Sequence, residues 1–390
     1  MLHFAVIERE RKGNFDIQPG VYGKLNVVST VPFLTGIAES SNVDDFSFSI
    51  PVSCGKIEFN VSSMNGKKYD RQTLAITGSS DSSITFTFNI ITPFNEISNE
   101  PIDLKFPKHF TIGHRGSGNN LCTQDYQENA IPGFLHASQV GCEFIEFDIQ
   151  LSKEKIPVIH HDYVISRKEK HPEIGEPLLE DPPGTYQYAL NQHSVDQFRV
   201  SKLDLKWKQE LPTFSDLLLT LPPQIKFDIE VKFPFQPKNK HIPYTERNEF
   251  IDIILHEVSK DSGNRKFFFS TFDVDSLLML CFKQHKYPVF MLMTQETEDT
   301  FEYFVTKIIG MAPLLKHIGV KGYIIDSTFL LKETSLIKKL LDQGFSVSTY
   351  GKPNNEEKYI VEQLDLGISG ICTDFLDMAN HAIIEYEKTH

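Results

Sequence analysis

The chain has 390 residues, of which 40% are hydrophobic, and its formal charge at pH 7 is −13. A chain of this length can bury one large hydrophobic core or two smaller ones, and this composition is typical of a globular protein. The acidic excess disfavours binding to nucleic acid or to anionic lipid, since both depend on a basic surface. An anionic small-molecule substrate would therefore need a local positive centre.

The cysteines and the N-terminal residues bear on the cellular compartment. The five cysteines are scattered, with neither a CxxC pair nor a zinc-type spacing to histidine: Cys54, Cys122, Cys142, Cys281 and Cys372. Such a pattern favours free thiols in a reducing compartment. The N-terminal sequence MLHFAVIERERKG has too short an apolar run for a signal peptide, and no later stretch approaches the length of a membrane span. We therefore expect a cytoplasmic protein without a transmembrane segment.

Residues 1–92 are predicted to form a small antiparallel β domain. The segment ITFTFNI, residues 84–90, alternates apolar with polar side chains, which is the period of a β-strand. FSFSI and KIEFNVS alternate similarly around the turn-rich segments MNGKK and GSSDSS, and no helix-period segment interrupts them. The proline-containing residues 93–109 are predicted to be a linker.

From residue 110 to residue 390, strand patterns alternate with helix patterns. The strand candidates are, in order, FTIGHR, EFIEFDIQ, IKFDIEVKF, KFFFSTF, PVFMLM, GYIIDS, GFSVSTYG and GISGICTD. Eight repeats in about 280 residues predict an α/β fold of the (βα)8 TIM-barrel type. A doubly wound open sheet is the alternative, but GHRGSGNN lacks the GxGxxG spacing of a dinucleotide site. A long irregular segment at about residues 163–210 is predicted to be an insertion above the barrel.

Acidic side chains recur at alternate positions of two predicted strands. In EFIEFDIQ, Glu146 and Asp148 share one face. In FDIEVKF, one face carries Asp228, Glu230 and Lys232. A solvated sheet face would explain either strand alone, but a barrel strand is packed on both faces, so repeated inward acids require a ligand. Three carboxylates from two strands beside a lysine form an oxygen-rich site of the kind that hard divalent cations prefer.

Histidines follow two of the predicted strands. GHRG contains His114 and Arg115, and PVIHHD contains His160 and His161. A histidine such as His114 is by itself more often a hydrogen-bonded structural residue, whereas a second histidine nearby favours general acid/base chemistry. If PVIHH is extended, His160 and His161 point to opposite sides, and the periodicity does not decide which one faces the site.

The motifs GHRG, QENA, EFIEFDIQLSKEKIPVIHHD, LPTF, FDIEVKF, FSTFD and GISGICTD, in this order, resemble the glycerophosphodiester phosphodiesterase domain. The resemblance covers residues 110 to about 378 and is strongest to the eukaryotic glycerophosphocholine phosphodiesterase branch. It implies that Glu146, Asp148 and Glu230 bind a divalent metal ion, Mg²⁺ or Ca²⁺. It also implies that His114 and His161 are the general acid/base pair.

The resemblance assigns further residues to the same site. Arg115 and Lys232 match the cations that face the substrate phosphate. Glu128 and Asn129 match the family's ENT motif, which lies near the site. Tyr350 stands where the family's seventh strand usually carries tryptophan, and this difference affects recognition of the head group more than catalysis. Relatives carry a carbohydrate-binding β module at the N-terminus, but residues 1–105 lack the aromatic pattern of that module. The partner of this region is therefore left open, with a carbohydrate, a protein and the barrel itself as the candidates.

The implied reaction is metal-dependent hydrolysis of a small-molecule glycerophosphodiester, with glycerophosphocholine as the expected substrate and glycerol 3-phosphate and choline as products. A quaternary ammonium group favours an aromatic wall, for which the candidates are Tyr163, Phe233, Phe235 and Tyr350. Two alternatives remain open. One is a related phosphodiesterase acting on lysophospholipids, and the other is a catalytically inactive barrel with a binding or regulatory role.

Overall fold

The computed structural model describes residues 2–12, 18, 20–22, 25–29, 35–40, 47–53, 55–60, 69–77, 79–98, 100–121, 126–201, 208–234, 241–295 and 301–390. Cys54, Cys122 and Phe235 lie outside these residues. The chain divides into two units. The first comprises Met1–Asn95, Leu278–His285 and Gln295–Val320, and the second comprises Glu96–Leu277, Lys286–Thr294 and Lys321–His390.

The N-terminal part of the first unit is antiparallel β-structure. Its strands are β1 (Leu2–Lys12), β2 (Gly20–Tyr22), β3 (Leu25–Ser29), β4 (Thr35–Ser40), β5 (Ser47–Val52), β6 (Gly55–Asn60), β7 (Tyr69–Ala75) and β8 (Ser83–Ile91). Within the described residues, one sheet has the order β2-β3-β4-β1-β8-β7, and β5 pairs with β6. The core contains Phe48, Phe59, Phe86 and Phe88, whose rings contact one another.

Strand β8 is buried on both faces. Its apolar residues lie in the core, as the alternation in ITFTFNI predicts. Its polar residues Thr85, Thr87 and Asn89 are also buried, at 7%, 3% and 0% exposure. The alternation therefore separates two buried faces of different chemistry, not a core face from a solvated one.

From residue 96 onward, strands and helices alternate along the chain. In chain order they are β9 (Phe110–Gly113), α1 (Ile131–Gln139), β10 (Phe144–Leu151), β11 (Pro157–Ile159), β12 (Val164–Arg167), β13 (Leu179–Glu180), β14 (Tyr186–Ala189), α2 (Val195–Arg199), α3 (Phe214–Thr220), β15 (Phe227–Val231), α4 (Arg247–Asp261), β16 (Phe267–Thr271), α5 (Val274–Lys283), β17 (Val289–Met293), α6 (Phe301–His317), β18 (Gly322–Asp326), α7 (Ser327–Leu330), α8 (Ser335–Asp342), β19 (Ser346–Tyr350), α9 (Glu357–Asp365), β20 (Gly370–Thr373) and α10 (Leu376–Thr389). No helix of the described chain is long and apolar enough to cross a bilayer.

Eight of these strands close into a parallel barrel, as predicted. The order is β9-β10-β15-β16-β17-β18-β19-β20, and β20 pairs with β9 to complete the circle. These strands are buried almost throughout, because one face fills the barrel and the other packs outward. All eight predicted strand segments are the observed strands.

The amino-terminal end of the barrel is closed by a ring of phenylalanines. Phe110, Phe144, Phe268 and Phe290 stand at the first or second positions of their strands and belong to one buried cluster. Phe106 inserts among them, with ring centroids 5.4 to 5.9 Å from those of all four. A residue of the predicted linker thus fills the floor of the barrel.

The segment after β11 differs from the irregular loop that the sequence predicts. Strands β12, β14 and β13 form a small antiparallel sheet, and helix α2 follows it. Apolar side chains that include Ile165, Leu190 and Phe198 form a buried cluster beneath this segment. Their positions in the sequence follow no regular period. Strands as short as the two residues of β13 give too little alternation to be predicted.

Candidate active site

Three carboxylates meet at the carboxyl-terminal end of the barrel. Strands β10 and β15 are parallel neighbours, with Asp148 beside Glu230 and Glu146 beside Asp228. Residues in register on adjacent strands face the same side, so the predicted inward acids converge. One oxygen from each of Glu146, Asp148 and Glu230 lies within 4.8 Å of the others.

Asp148 is buried among positive and polar groups. Asn129 Nδ2 donates a hydrogen bond of 2.9 Å to Asp148 Oδ2. Lys232 Nζ lies 3.6 Å from Oδ1, and Arg115 Nε lies 3.9 Å from Oδ2. Burial alone would raise the pKa of Asp148, but the charges of His161, Lys232 and Arg115 hold that pKa well below its usual range. Asp148 is therefore a carboxylate at neutral pH.

Fewer favourable contacts offset the burial of the Glu146 carboxylate. Its Oε2 accepts a hydrogen bond of 2.6 Å from the backbone N–H of Arg115. Burial, and then the charges of Asp148 and Glu230, nevertheless raise the pKa of Glu146 well above its usual value. Like charges at this separation in a buried site are unfavourable unless a cation lies between them.

The donor set fits a divalent cation. Carboxylate oxygens are the ligands that Mg²⁺ and Ca²⁺ prefer. Among the described residues, Asp148 Oδ1 and Asn129 Oδ1 are buried without a hydrogen-bond partner, so ligand capacity is available where the carboxylates meet. The charge, the oxygen chemistry and the spacing of the three carboxylates therefore all fit the binding of a divalent cation.

The turn after β9 and the segment before α1 are docked on each other. Arg115 Nη1 donates to Glu128 Oε2 at 3.1 Å, and Asn129 N donates to the Arg115 carbonyl at 2.9 Å. Both Arg115 and Asn129 have left-handed backbone conformations, with φ of 47° and 57°. Such a conformation costs on the order of 1–3 kcal/mol at a non-glycine residue and persists where surrounding contacts impose it. Glu128 and Asn129 thus hold the Arg115 turn against the carboxylates.

Lys232 is a buried cation beside the same acids. Its Nζ lies 3.0 Å from Glu230 Oε1. Burial opposes its charge, but Glu230 and Asp148 outweigh burial and raise the pKa of Lys232 above its ordinary value. The Nζ atom also lies 5.7 Å from the ring centroid of Tyr163, whose hydroxyl donates to the Phe233 carbonyl at 2.9 Å. Lys232 therefore stays protonated at the edge of the cluster.

The adjacent side chains of His160 and His161 differ in exposure and in their contacts. His160 is 2% exposed, its backbone N–H donates to the Asp148 carbonyl, and its ring lies against Phe198. His161 is half-buried, with Nδ1 2.8 Å from Asp162 Oδ1, and its charge acts on Asp148. The Gln150 side-chain amide donates to the carbonyls of His160, His161 and Asp162. His161 is therefore the accessible member of the pair.

His114 is paired with an aspartate that directly follows the last barrel strand. His114 Nδ1 lies 2.7 Å from Asp374 Oδ1. Asp374 also accepts hydrogen bonds from the backbone and side chain of Asn119 and from Asn355 Nδ2. Although burial opposes its charge, these hydrogen bonds and His114 hold the pKa of Asp374 well below its usual range. With Nδ1 engaged, Nε2 is the ring nitrogen that is left for a ligand.

The model of the "Glycerophosphoryl diester phosphodiesterase family" matches residues 114–378, which is more than half of the chain. The chain belongs to the glycerophosphoryl diester phosphodiesterase family. This membership agrees with the resemblance carried by the ordered motifs.

Individual members of the glycerophosphoryl diester phosphodiesterase family are similar at moderate identity. The glycerophosphocholine phosphodiesterase of Rattus norvegicus is 29% identical over 300 residues, which are 67% of this chain and 43% of that protein. A glycerophosphodiester phosphodiesterase of Arabidopsis thaliana is 28% identical over 301 residues, covering 73% of this chain and 80% of its own length. The chain thus spans less than half the length of the mammalian relative.

Solved structures of proteins assigned to the glycerophosphodiester phosphodiesterases have the same fold. A phosphodiesterase of Oleispira antarctica, solved in complex with the product sn-glycerol-3-phosphate, has a TM-score of 0.53 and 17% identity over 72% of this chain and 97% of its own. The glycerophosphodiester phosphodiesterase of Galdieria sulphuraria has the same TM-score at 18% identity, over 72% of this chain and all of its own. At such identities, the similarity establishes the barrel fold alone.

Sequence reasoning missed part of this phosphodiesterase-family site. Asp374, Asn119 and Asn355, which position His114, are not among the residues that the sequence predicts for the site. Asp374 ends GISGICTD, at the inward, carboxyl-terminal position that identified Glu146 and Glu230, so the same rule applied to every strand would have found it. Asn119 lies in a loop and Asn355 ends a short 3-10 helix (Lys352–Asn355), and no periodic signal could have found them.

Proposed function

We propose that this protein hydrolyses glycerophosphodiesters, with glycerophosphocholine as its substrate. The observation that carries the proposal is the convergence of Glu146, Asp148 and Glu230 within 4.8 Å at the mouth of the barrel. Family membership supports the reaction class, and similarity to the glycerophosphocholine phosphodiesterase of the rat supports the choline ester. The Oleispira antarctica enzyme was solved with the product sn-glycerol-3-phosphate, which supports glycerol 3-phosphate as the phosphorylated product here.

The three carboxylates would hold one divalent ion, Mg²⁺ or Ca²⁺. When bound, such an ion supplies positive charge to a phosphate oxygen and to the hydroxyl that reacts. Arg115 and Lys232 supply further positive charge to the phosphate from opposite sides of Asp148. Each is already held by a carboxylate, Glu128 or Glu230, so both cations are oriented before the substrate binds.

His114 and His161 would transfer the protons. In the first step, the glycerol hydroxyl next to the phosphoester forms a bond to phosphorus, and the bond from phosphorus to the choline oxygen breaks. One imidazole accepts the hydroxyl proton, and the other protonates the departing choline oxygen. Water then opens the cyclic phosphate to glycerol 3-phosphate, and the two imidazoles exchange roles. Asp374 and Asp162 hold the Nδ1 atoms, which leaves both Nε2 atoms for these transfers.

Release of choline and glycerol 3-phosphate from glycerophosphocholine, with and without a chelator, tests the proposal. We expect stoichiometric release that a chelator abolishes and that Mg²⁺ or Ca²⁺ restores. Undiminished release in the presence of the chelator would refute the metal assignment. Preferred cleavage of lysophosphatidylcholine would favour the lysophospholipid alternative, and binding without turnover of any diester would favour an inactive barrel.

We also infer that the protein acts in the cytoplasm. The described cysteines Cys142, Cys281 and Cys372 are free thiols, which agrees with a reducing compartment. Fractionation of cells that express the tagged protein tests this inference.

A further inference from the structure

The mouth of the barrel has a second arc of inward residues, away from the carboxylates. Phe272 directly follows β16, and Asp326 and Tyr350 end β18 and β19. Phe272 and Tyr350 pack on the cluster that fills the barrel, so both point inward. Asp326 is in register with Tyr350 on the neighbouring strand and shares its face. We call these three residues the aromatic arc.

The side chains of the aromatic arc are held in place and remain accessible. The rings of Phe272 and Tyr350 meet edge to face, with centroids 6.0 Å apart and an angle of 83°. The Tyr350 hydroxyl lies 3.4 Å from the Met293 carbonyl. Asp326 Oδ1 accepts from Thr328 N at 2.8 Å and caps helix α7. All three members of the arc are half-buried, so each retains surface for a ligand.

The aromatic arc faces the proposed reaction centre across the mouth of the barrel, because β18 and β19 lie opposite β10 and β15 in the closed strand order. Burial raises the pKa of the Tyr350 phenol, the charges of Asp326 and Glu230 raise it further, and the charge of Lys232 opposes them. The charges of Asp326 and of Glu230 therefore both act on Tyr350. The head group of a substrate whose phosphate is bound at the cluster would extend across the mouth of the barrel towards the arc.

The other aromatic candidates are less suited to a cation. Phe233 is only 3% exposed, and its ring is covered by the guanidinium of Arg247 at 4.2 Å from the centroid. Tyr163 has Lys232 Nζ at 5.7 Å from its ring centroid, so a bound cation there would meet a like charge. Among the charges that act on Tyr350, that of the carboxylate Asp326 is the strongest.

We propose that Phe272, Tyr350 and Asp326 form the subsite for the quaternary ammonium head group of the substrate. A trimethylammonium group cannot donate ordinary hydrogen bonds, so it is recognised by aromatic faces and by negative charge. The aromatic arc supplies both, and the opposite arc supplies the groups that bind phosphate. This inference rests on the proposed function and adds to it the residues that select choline.

Substrate comparison with three variants tests the subsite. Phe272→Leu keeps an apolar side chain without a π-face, and Tyr350→Leu does the same. Asp326→Asn removes the charge but keeps the helix cap, because asparagine caps as well as aspartate. We expect each variant to lose about 5- to 30-fold in kcat/KM for glycerophosphocholine, the range of a cation–π contact. For glycerophosphoglycerol, whose head group is neutral, the loss should stay within about 2-fold.

Tyr244→Leu is the matched control. Tyr244 is 58% exposed and contacts Phe233, so this variant removes an aromatic side chain of similar accessibility outside the arc. It should leave the ratio of the two kcat/KM values unchanged. Equal losses on both substrates in the arc variants, or an unchanged ratio, would overturn the subsite while the proposed function stands.

A binding measurement keeps the test independent of turnover. Choline added to the wild-type protein should show broadening of its methyl NMR signal, and Asp326→Asn and Phe272→Leu should reduce that broadening at least 3-fold. Equal broadening with wild-type protein and variants would refute the subsite. Absence of hydrolysis of every glycerophosphodiester, with choline binding retained and sensitive to the arc variants, would refute the proposed function alone.

Discussion

His114 and Asp374 are 260 positions apart in the chain, and their side chains are joined by a hydrogen bond of 2.7 Å. The carboxylate is itself held by Asn119 and Asn355, so the imidazole is fixed through a network that spans three loops. Because Asp374 contacts the imidazole through Nδ1, it is a positioning residue. It sets which nitrogen carries the proton.

Asp374→Asn should therefore impair turnover more than substrate binding. An amide cannot hold the same tautomer as a carboxylate, so we expect kcat to fall by about 10²-fold or more. KM should change by less than about 3-fold, because the residue does not touch the substrate. Steady-state kinetics at saturating metal measures both. A rise in KM with unchanged kcat would contradict the positioning role.

The adjacent histidines offer an internal comparison. His161→Ala should lower kcat by about 10²- to 10⁴-fold with little change in stability, because the side chain is half-buried and acts on protons. His160→Ala removes a buried ring that packs near Phe198, so it should lower the free energy of unfolding by roughly 1–3 kcal/mol. Urea unfolding and kinetics of both variants check the pair. Loss of activity in His160→Ala together with loss of stability in His161→Ala would assign proton transfer to His160 and the structural role to His161.

Removal of metal should destabilise the barrel. Without a cation, Glu146, Asp148 and Glu230 place like charges within 4.8 Å in a buried site. We expect the Tm to fall on chelation and to recover with Mg²⁺ or Ca²⁺. In the chelated protein, Glu146→Gln should raise the Tm by a few degrees, because about 1 kcal/mol corresponds to roughly 2–4 °C for a domain of this size. Equal Tm values with and without chelator would count against a bound metal.

The buried His193 predicts a pH dependence of stability. It is fully buried, accepts at Nε2 from Arg167 Nε at 3.4 Å, and donates from Nδ1 to the Ala189 carbonyl. Burial lowers the pKa of His193 to about 4, and the charges of Arg167 and His171 act in the same direction. Between pH 6.5 and pH 4 the unfolded chain therefore binds a proton that the folded chain does not. Folding stability should fall as the pH falls through this window, by up to about 3 kcal/mol.

Urea unfolding of wild-type protein and His193→Gln at several pH values isolates this contribution. Carboxylates also titrate on acidification, so the informative quantity is the difference between the two proteins. We expect that difference to shift in favour of the variant as the pH is lowered from 7 to 4.5. Parallel pH profiles would show that His193 is not the source.

The barrel and its acidic cluster were predictable because both follow from a strict period. Glu146, Asp148 and Glu230 alternate with large apolar residues along their strands. Because the two strands pair in register, the acidic side chains of both point to the same face of the sheet. The sheet of the insertion was missed, because two to four residues carry no measurable period. Periodicity alone leaves the choice between His160 and His161 open, because the contacts of Gln150 that orient this turn come from another strand.

The phenylalanine floor of the barrel has a practical consequence for expressed fragments. The family match begins at residue 114, yet Phe106 fills the space between Phe110, Phe144, Phe268 and Phe290. A fragment trimmed to the matched residues would lack both Phe106 and Phe110, so the rings of Phe144, Phe268 and Phe290 would face water and the fragment would be prone to aggregate. Borders drawn from sequence similarity alone would cut this chain inside its own hydrophobic core.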